Sequence, residues 1–188
     1  MIRIMSDIQH PFRLRKRHGS GARKDVSAAD GRHLVDTQSI RSAIVAGVLA
    51  VLVFSMFWAT LTELTNRVFP WFTVVLGLLL GYSTRLAGRG VDWRFPLIAA
   101  LMAIIGSLVA NVVIAASVTA DGFGVGTLQI LQAVTSMTWL VFIDEVLTVV
   151  DVFYAVVGAA FAAFYANRRL TRTDYHALRL WREEQKNV

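Results

Sequence analysis

Residues 42–62 read SAIVAGVLAVLVFSMFWATLT, a run of twenty-one residues without a charged side chain. A helix rises about 1.5 Å per residue, so this run is long enough to cross the ~30 Å hydrocarbon core of a bilayer. Three further runs repeat the pattern. Residues 68–84 (VFPWFTVVLGLLLGYST) lie at the short end of the spanning range, and residues 95–120 exceed what one span needs. Residues 147–166 (LTVVDVFYAVVGAAFAAFYA) are interrupted only by Asp151. The expected fold is an all-α polytopic membrane protein. It has four transmembrane helices in an antiparallel bundle, at about 42–62, 68–84, 96–117 and 147–166, within a membrane domain of residues 42–167.

Composition agrees with this class. The chain is 55% hydrophobic and 17% charged, against roughly 45–50% and 25% in soluble domains. Its 188 residues make one small bundle with tails and leave no room for a substantial soluble catalytic domain. It has no cysteine, which excludes disulfides, thiol nucleophiles and cysteine-held metals.

Residues 122–143 (GFGVGTLQILQAVTSMTWLVFI) are also uncharged, but glycines, glutamines and hydroxyl residues dilute them. Leu128, Leu131, Val134, Thr138 and Val141 recur at helical spacing. We expect an interfacial or re-entrant helix over 125–143 on the outer side, with a fifth span as the rival. Charge decides between them. Nine Lys/Arg precede residue 42, three lie in the 85–94 loop and six follow residue 167, while only Arg67 is left for the other side. Four crossings put eighteen of nineteen basic residues in the cytoplasm, as the positive-inside rule requires; five would export one basic tail.

The two tails read differently. Residues 1–41 are expected to be a basic, largely disordered cytoplasmic tail. There is no apolar core of a signal peptide behind its basic start. The cluster Arg13, Arg15, Lys16, Arg17, Arg23 and Lys24 either sets topology or also meets anionic lipid. Nucleic acid is not expected, because only Phe12 interleaves with these charges. Residues 168–188 are expected to form a cytoplasmic amphipathic helix, capped by Thr173, with Leu178 and Trp181 on one side.

Few residues break the apolar pattern inside the spans. Asp151 is the clearest, since an intramembrane acid is costly and raises a functional hypothesis by default. It lies near the outer end of its span. Asn111, on the third span, falls at a similar depth if the helices alternate in direction. An amide donates where a carboxylate accepts, so Asn111 and Asp151 are expected to face each other, directly or through water. Asp144, Thr148 and Asp151 share one helix face with Glu145 beside them, so the three carboxylates form an acidic rim that either attracts a cation or, for Asp144 and Glu145, marks the favourable N-terminal end of a helix dipole. The small pairs Gly77/Gly81, Gly106/Ala110 and Gly158/Ala162 mark close helix contacts, within one chain or between copies. Trp58, Trp71 and Trp93 read as interfacial belt residues. In the inner loop STRLAGRGVDWRFP, Arg85, Arg89 and Arg94 form a basic collar that either anchors the hairpin or receives lipid headgroups. Pro96 reads as the start of the third helix.

The stretch GYSTRLAGRGVDWRFPLIAALMAIIGSLVANVV, with the later DVFYAVVGAAFAAFYANRR, resembles small uncharacterised bacterial four-helix inner-membrane proteins. In these a basic glycine-rich turn joins two spans and the last span ends in an aromatic–alanine–basic stretch. The resemblance covers residues 70–170. It implies a bacterial inner membrane and four helices, with no activity to carry over.

All four histidines (His10, His18, His33, His176) lie in the tails, and no nucleophile elbow or HExxH pattern is present. No catalytic residue, cofactor or metal site is therefore expected. The expected role is structural or accessory in a membrane complex, with the bilayer, its anionic lipids, and a homo-oligomer or membrane-protein partner as contacts. The alternatives are a small oligomeric channel or transporter built around Asn111 and Asp151, or an anionic-lipid-interacting protein acting through Arg85, Arg89 and Arg94.

Overall fold

The computed structural model describes residues 26–137, 139 and 147–186, and within them every regular element is helical. In chain order these are α1 (Ala28–Asp36), α2 (Ile40–Thr65), α3 (Phe72–Gly88), α4 (Arg94–Phe123), α5 (Thr127–Met137), α6 (Val149–Ala166) and α7 (Arg172–Lys186). Three of them, α2, α4 and α6, are long and apolar enough to cross a membrane; α3 is apolar and one residue shorter than α6. The outward faces are greasy throughout. Val53, Met56 and Phe57 on α2, Ile105 on α4, and Phe153 and Phe164 on α6 are all exposed. Apolar surface this continuous is untenable in water and expected against lipid.

The sequence places these helices with shifted ends. Residues 68–84 are uncharged, but Pro70 sits in a turn in which Phe72 N–H reaches the Phe69 carbonyl (3.0 Å) and Thr73 N–H reaches Pro70 (3.2 Å). The helix therefore starts at Phe72, and the last turn of α3 takes in Arg85, where a cation suits the dipole. α4 overruns the expected 96–117 at both ends, stopping only at Gly124 in the left-handed conformation (φ 65°). Pro96 falls in its first turn, where the missing N–H costs nothing.

Contacts fix the helix directions. A Cβ on Gly47 would meet Met102, one on Gly106 would meet Val51, and the Ser117 hydroxyl donates to Glu63. α2 and α4 are therefore parallel. Gly77 abuts Gly158 and Gly81 abuts Ala162, so α3 and α6 are parallel too. α3 and α4 pack together through the middle, with α2 and α6 on opposite flanks. Trp58, Leu76, Leu80, Ala99, Ala110 and Ala162 fill the interior. The small-residue pairs thus do their packing within one chain.

Four helix ends meet at one end of the bundle around residues 88–91. Ser39 N–H donates to the Gly88 carbonyl (3.0 Å), Arg168 N–H to the Gly90 carbonyl (2.9 Å), and Val91 N–H to Gln38 Oε1 (3.2 Å). The start of α2, the turn between α3 and α4, and the end of α6 are tied together there. Gly88 and Gly90 serve close approach, since a Cβ on either would strike the Phe95 ring. The left-handed cap of α3 falls instead on Arg89 (φ 49°), at a cost of about 1–2 kcal/mol.

The tails depart most from expectation. Within residues 1–41, read as largely disordered, Ala28–Asp36 is helical and packs on α7. The reason is tertiary: nine residues of polar composition are too few for a stable isolated helix, and α7 supplies the partner. The basic cluster from Arg13 to Lys24 lies outside the described residues. α7 begins directly after a Thr171 cap, where Thr171 N–H donates to Asp174 Oδ2 (3.1 Å) and Asp174 N–H to Thr171 Oγ1 (3.2 Å). Thr173, the expected cap, only bonds the Thr171 hydroxyl (2.7 Å). α5 occupies the first part of the 125–143 segment and packs on α4; residues 138 and 140–146 lie outside the described residues.

Candidate polar site and basic face

Asp151 and Asn111 are both buried, at 8% and 6% exposure. On α4, Asn111 lies about 180° around the helix from Met102 at 100° per residue. Met102 faces α2, so Asn111 lies on the side of α4 turned away from α2. Counting outward from the Gly77–Gly158 and Leu76–Gly106 contacts puts Asp151 and Asn111 within about one helical turn in depth.

The expected direct hydrogen bond is not made. Asp151 turns back on its own helix. Its Oδ2 accepts from the Thr148 N–H (3.0 Å) and the Thr148 hydroxyl (2.6 Å), while Asp151 N–H donates to Thr148 Oγ1 (3.3 Å). This is a reciprocal cap on the first turn of α6. Asn111 Nδ2 is buried without a hydrogen-bond partner. The signal was in the sequence: Thr148-Val-Val-Asp151 has capping-box spacing, as do Ser27–Asp30 and Thr171–Asp174. Asp144 and Glu145, the rest of the acidic rim, lie outside the described residues.

Asn111 is not alone. Ser55 Oγ, Trp58 Nε1, Thr62 Oγ1 and Thr73 Oγ1 are also buried without partners. Trp58, expected in an interfacial belt, is fully buried, in ring contact with Phe54 and Phe72. Its place one helical stripe beyond Val51 and Phe54 turns it inward, and distance from the span's end carries no information about that rotation. Trp71 and Trp93 are exposed, as expected.

The two polar positions separate in their effect on stability. Asp151→Ala removes a cap and should cost about 1 kcal/mol, and Asp151→Asn less. Asn111→Leu removes an unpaired donor and should be neutral or stabilising. Thermal unfolding in detergent reads both. A larger loss for Asn111→Leu than for Asp151→Ala would mean that the amide has a partner.

The three arginines of the expected collar share one end of the bundle. Arg85 is half-buried on α3, Arg89 is exposed in the left-handed cap, and Arg94 is exposed at the start of α4. Arg94 lines a cleft with Arg41, Gln38 and Asp92 of about 340 Å³, to which Arg85 and Arg89 do not contribute.

A second cleft, of about 470 Å³, runs between α7 and the inner loop. Its floor is Val91, Leu170 and Leu178, and its rim carries Tyr175, Arg179, Arg182, Glu183 and Lys186. Glu183 accepts from Arg179 Nε (2.9 Å), which raises the guanidinium pKa further and keeps it charged. Among the described residues Arg182 and Lys186 have no carboxylate partner. A third cleft, between α1 and α7, is lined by Asp30, His33 and Asp174, and the described residues contain no group of three or more acids, histidines or cysteines placed to hold a metal. No family model matches the chain, and neither does any curated protein or solved structure.

Proposed function

We propose that the chain is a four-span protein of the bacterial inner membrane, with both tails cytoplasmic, serving as a structural or accessory subunit of a membrane complex. The observation that carries this reading is the α1–α7 cap. Two tails more than a hundred residues apart pack on each other and are tied by backbone hydrogen bonds to the same inner turn. A bundle that only filled lipid would have no use for such an arrangement.

Other features support it. α3 is the fourth crossing, since its seventeen residues rise about 26 Å and it runs alongside α6. Arg85, Arg89, Arg94, Arg168 and Arg169 gather at the cap end, while Glu63 and Asp121 lie at the other, in keeping with positive-inside insertion. The interior is closed by Trp58, Leu76 and Leu80, by buried alanines and by close glycine contacts, which speaks against a path through one copy. Asp151, the acid a channel would use, is engaged in capping.

The test is crosslinking and purification from native membranes, comparing the wild type with Gly31→Leu, which separates the cap helices. The reading expects defined membrane-protein partners, or defined oligomers, that the variant loses while still inserting. Ion flux through the purified protein in liposomes, abolished by Asp151→Asn, would contradict it and favour the channel reading around Asn111 and Asp151.

A further inference from the structure

We propose that the cleft between α7 and the inner loop binds the phosphate headgroup of an anionic lipid, with Arg182 and Lys186 as the ligating cations and Tyr175 as a hydroxyl donor. The proposal rests on the reading that the cap end lies at a membrane face, and it names a headgroup site other than the expected collar of Arg85, Arg89 and Arg94.

Three observations lead to it. The cleft is amphipathic in the sense a lipid requires. Its floor is apolar, from Val91, Leu170 and Leu178, and its rim is cationic. Its charges are unbalanced: one carboxylate, Glu183, is committed to Arg179, so Arg182 and Lys186 are left over. They stand at i and i+4 on one helix face, which directs both toward one anion, and an arginine fork with a lysine point charge is a recurrent phosphate-binding pair. Its position is the third observation. Leu170 follows the end of α6 by four residues, and Val91 belongs to the turn joining α3 to α4. The cleft therefore opens where apolar helices give way to charged tails, at headgroup depth.

Lipid, rather than a free phosphate ester, is the occupant this geometry favours. A soluble anion has no use for the leucine floor, whereas acyl chains descending from a headgroup here continue onto the exposed apolar sides of the bundle. The arginine and tyrosine are placed to donate to the phosphate oxygens, and the lysine to neutralise it.

The experiment is native mass spectrometry of the full chain released from nanodiscs of phosphatidylglycerol and phosphatidylcholine. Both leaflets carry the same lipids, so the result does not depend on which side is cytoplasmic or on the number of crossings. The wild type is expected to retain phosphatidylglycerol selectively. The double variant Arg182→Ala with Lys186→Ala should lose about tenfold or more in retention. The double variant Arg169→Ala with Arg172→Ala removes the same charge outside the cleft and should lose clearly less than the cleft variant, keeping the preference for phosphatidylglycerol. Equal losses in the two double variants would overturn the proposal, because attraction would then be a property of the basic face at large. Displacement of the lipid by millimolar glycerol phosphate would also overturn it, by making the ligand a soluble ester. Both variants should keep the wild-type circular dichroism, since all four positions are solvent-facing.

Discussion

Replacing Gly77 by leucine is expected to prevent the bundle from forming a stable folded state. Even alanine there should cost about 1–3 kcal/mol, the usual penalty for overpacking. The reason is what a side chain would meet. A Cβ on Gly77 would lie 2.2 Å from the Gly158 carbonyl oxygen, with the Gly158 carbonyl carbon and Cα behind it. These are backbone atoms of a packed helix, which cannot rotate aside as a side chain can. The seam continues at Gly81, where a Cβ would meet the Ala162 carbonyl at 2.7 Å, so α6 cannot slide to relieve the clash. Gly122 provides the control. It lies in the last turn of α4 with nothing within 4 Å of its Cβ position, and Gly122→Ala should be neutral or stabilising by about 0.5–1 kcal/mol. Unfolding in mixed detergent micelles measures both. Equal stability of Gly77→Ala and wild type would mean that α3 and α6 do not meet in this register.

The second large effect is at the cap. A Cβ on Gly31 would stand 2.3 Å from the Ala177 carbonyl oxygen and 2.9 Å from the Trp181 Cβ. Gly31→Leu should therefore drive α1 off α7. Leu34, Ala177 and Leu178 are buried at that contact, and their exposure removes what keeps nine residues helical. Amide exchange across Ala28–Asp36 is expected to rise to the rate of an unstructured segment, while exchange within α2, α4 and α6 stays slow. The bundle depends on the inner turn and not on the cap, so insertion should survive. Protection across α1 that survives the substitution would show that the helix does not need α7.

The fold was legible in the sequence to the extent that it rests on apolar length and on small-residue spacing. Uncharged runs marked the apolar helices because burying a charge in lipid is costly enough to exclude it. Gly77/Gly81 and Gly158/Ala162 marked close approach because only small side chains permit it, and the structure sets those two pairs against each other. What a run of apolar letters does not encode is where a turn falls inside it, which is why Pro70 moved the start of α3. Nor does it encode helix rotation, which is why Trp58, expected in an interfacial belt, is buried. α1 was illegible for a different reason, since its stability comes from a helix more than a hundred residues away in sequence. The candidate site was half legible. Depth puts Asn111 and Asp151 at one level of the bundle, but the carboxylate has a nearer partner. Thr148 competes at three residues' distance, and a local cap forms with less ordering cost than a contact between helices.

The central claim is that the chain crosses the bilayer four times and leaves both tails on the cytoplasmic side. The absence of native cysteine allows a direct measurement, in which single cysteines at Thr37, Val68, Val125 and Gln185 are exposed to a membrane-impermeant maleimide in intact cells. The account expects labelling at Val68 and Val125, and at Thr37 and Gln185 only after the membrane is opened. Labelling of Gln185 in intact cells with Thr37 protected would contradict it, because the cap of α1 on α7 cannot form across a bilayer.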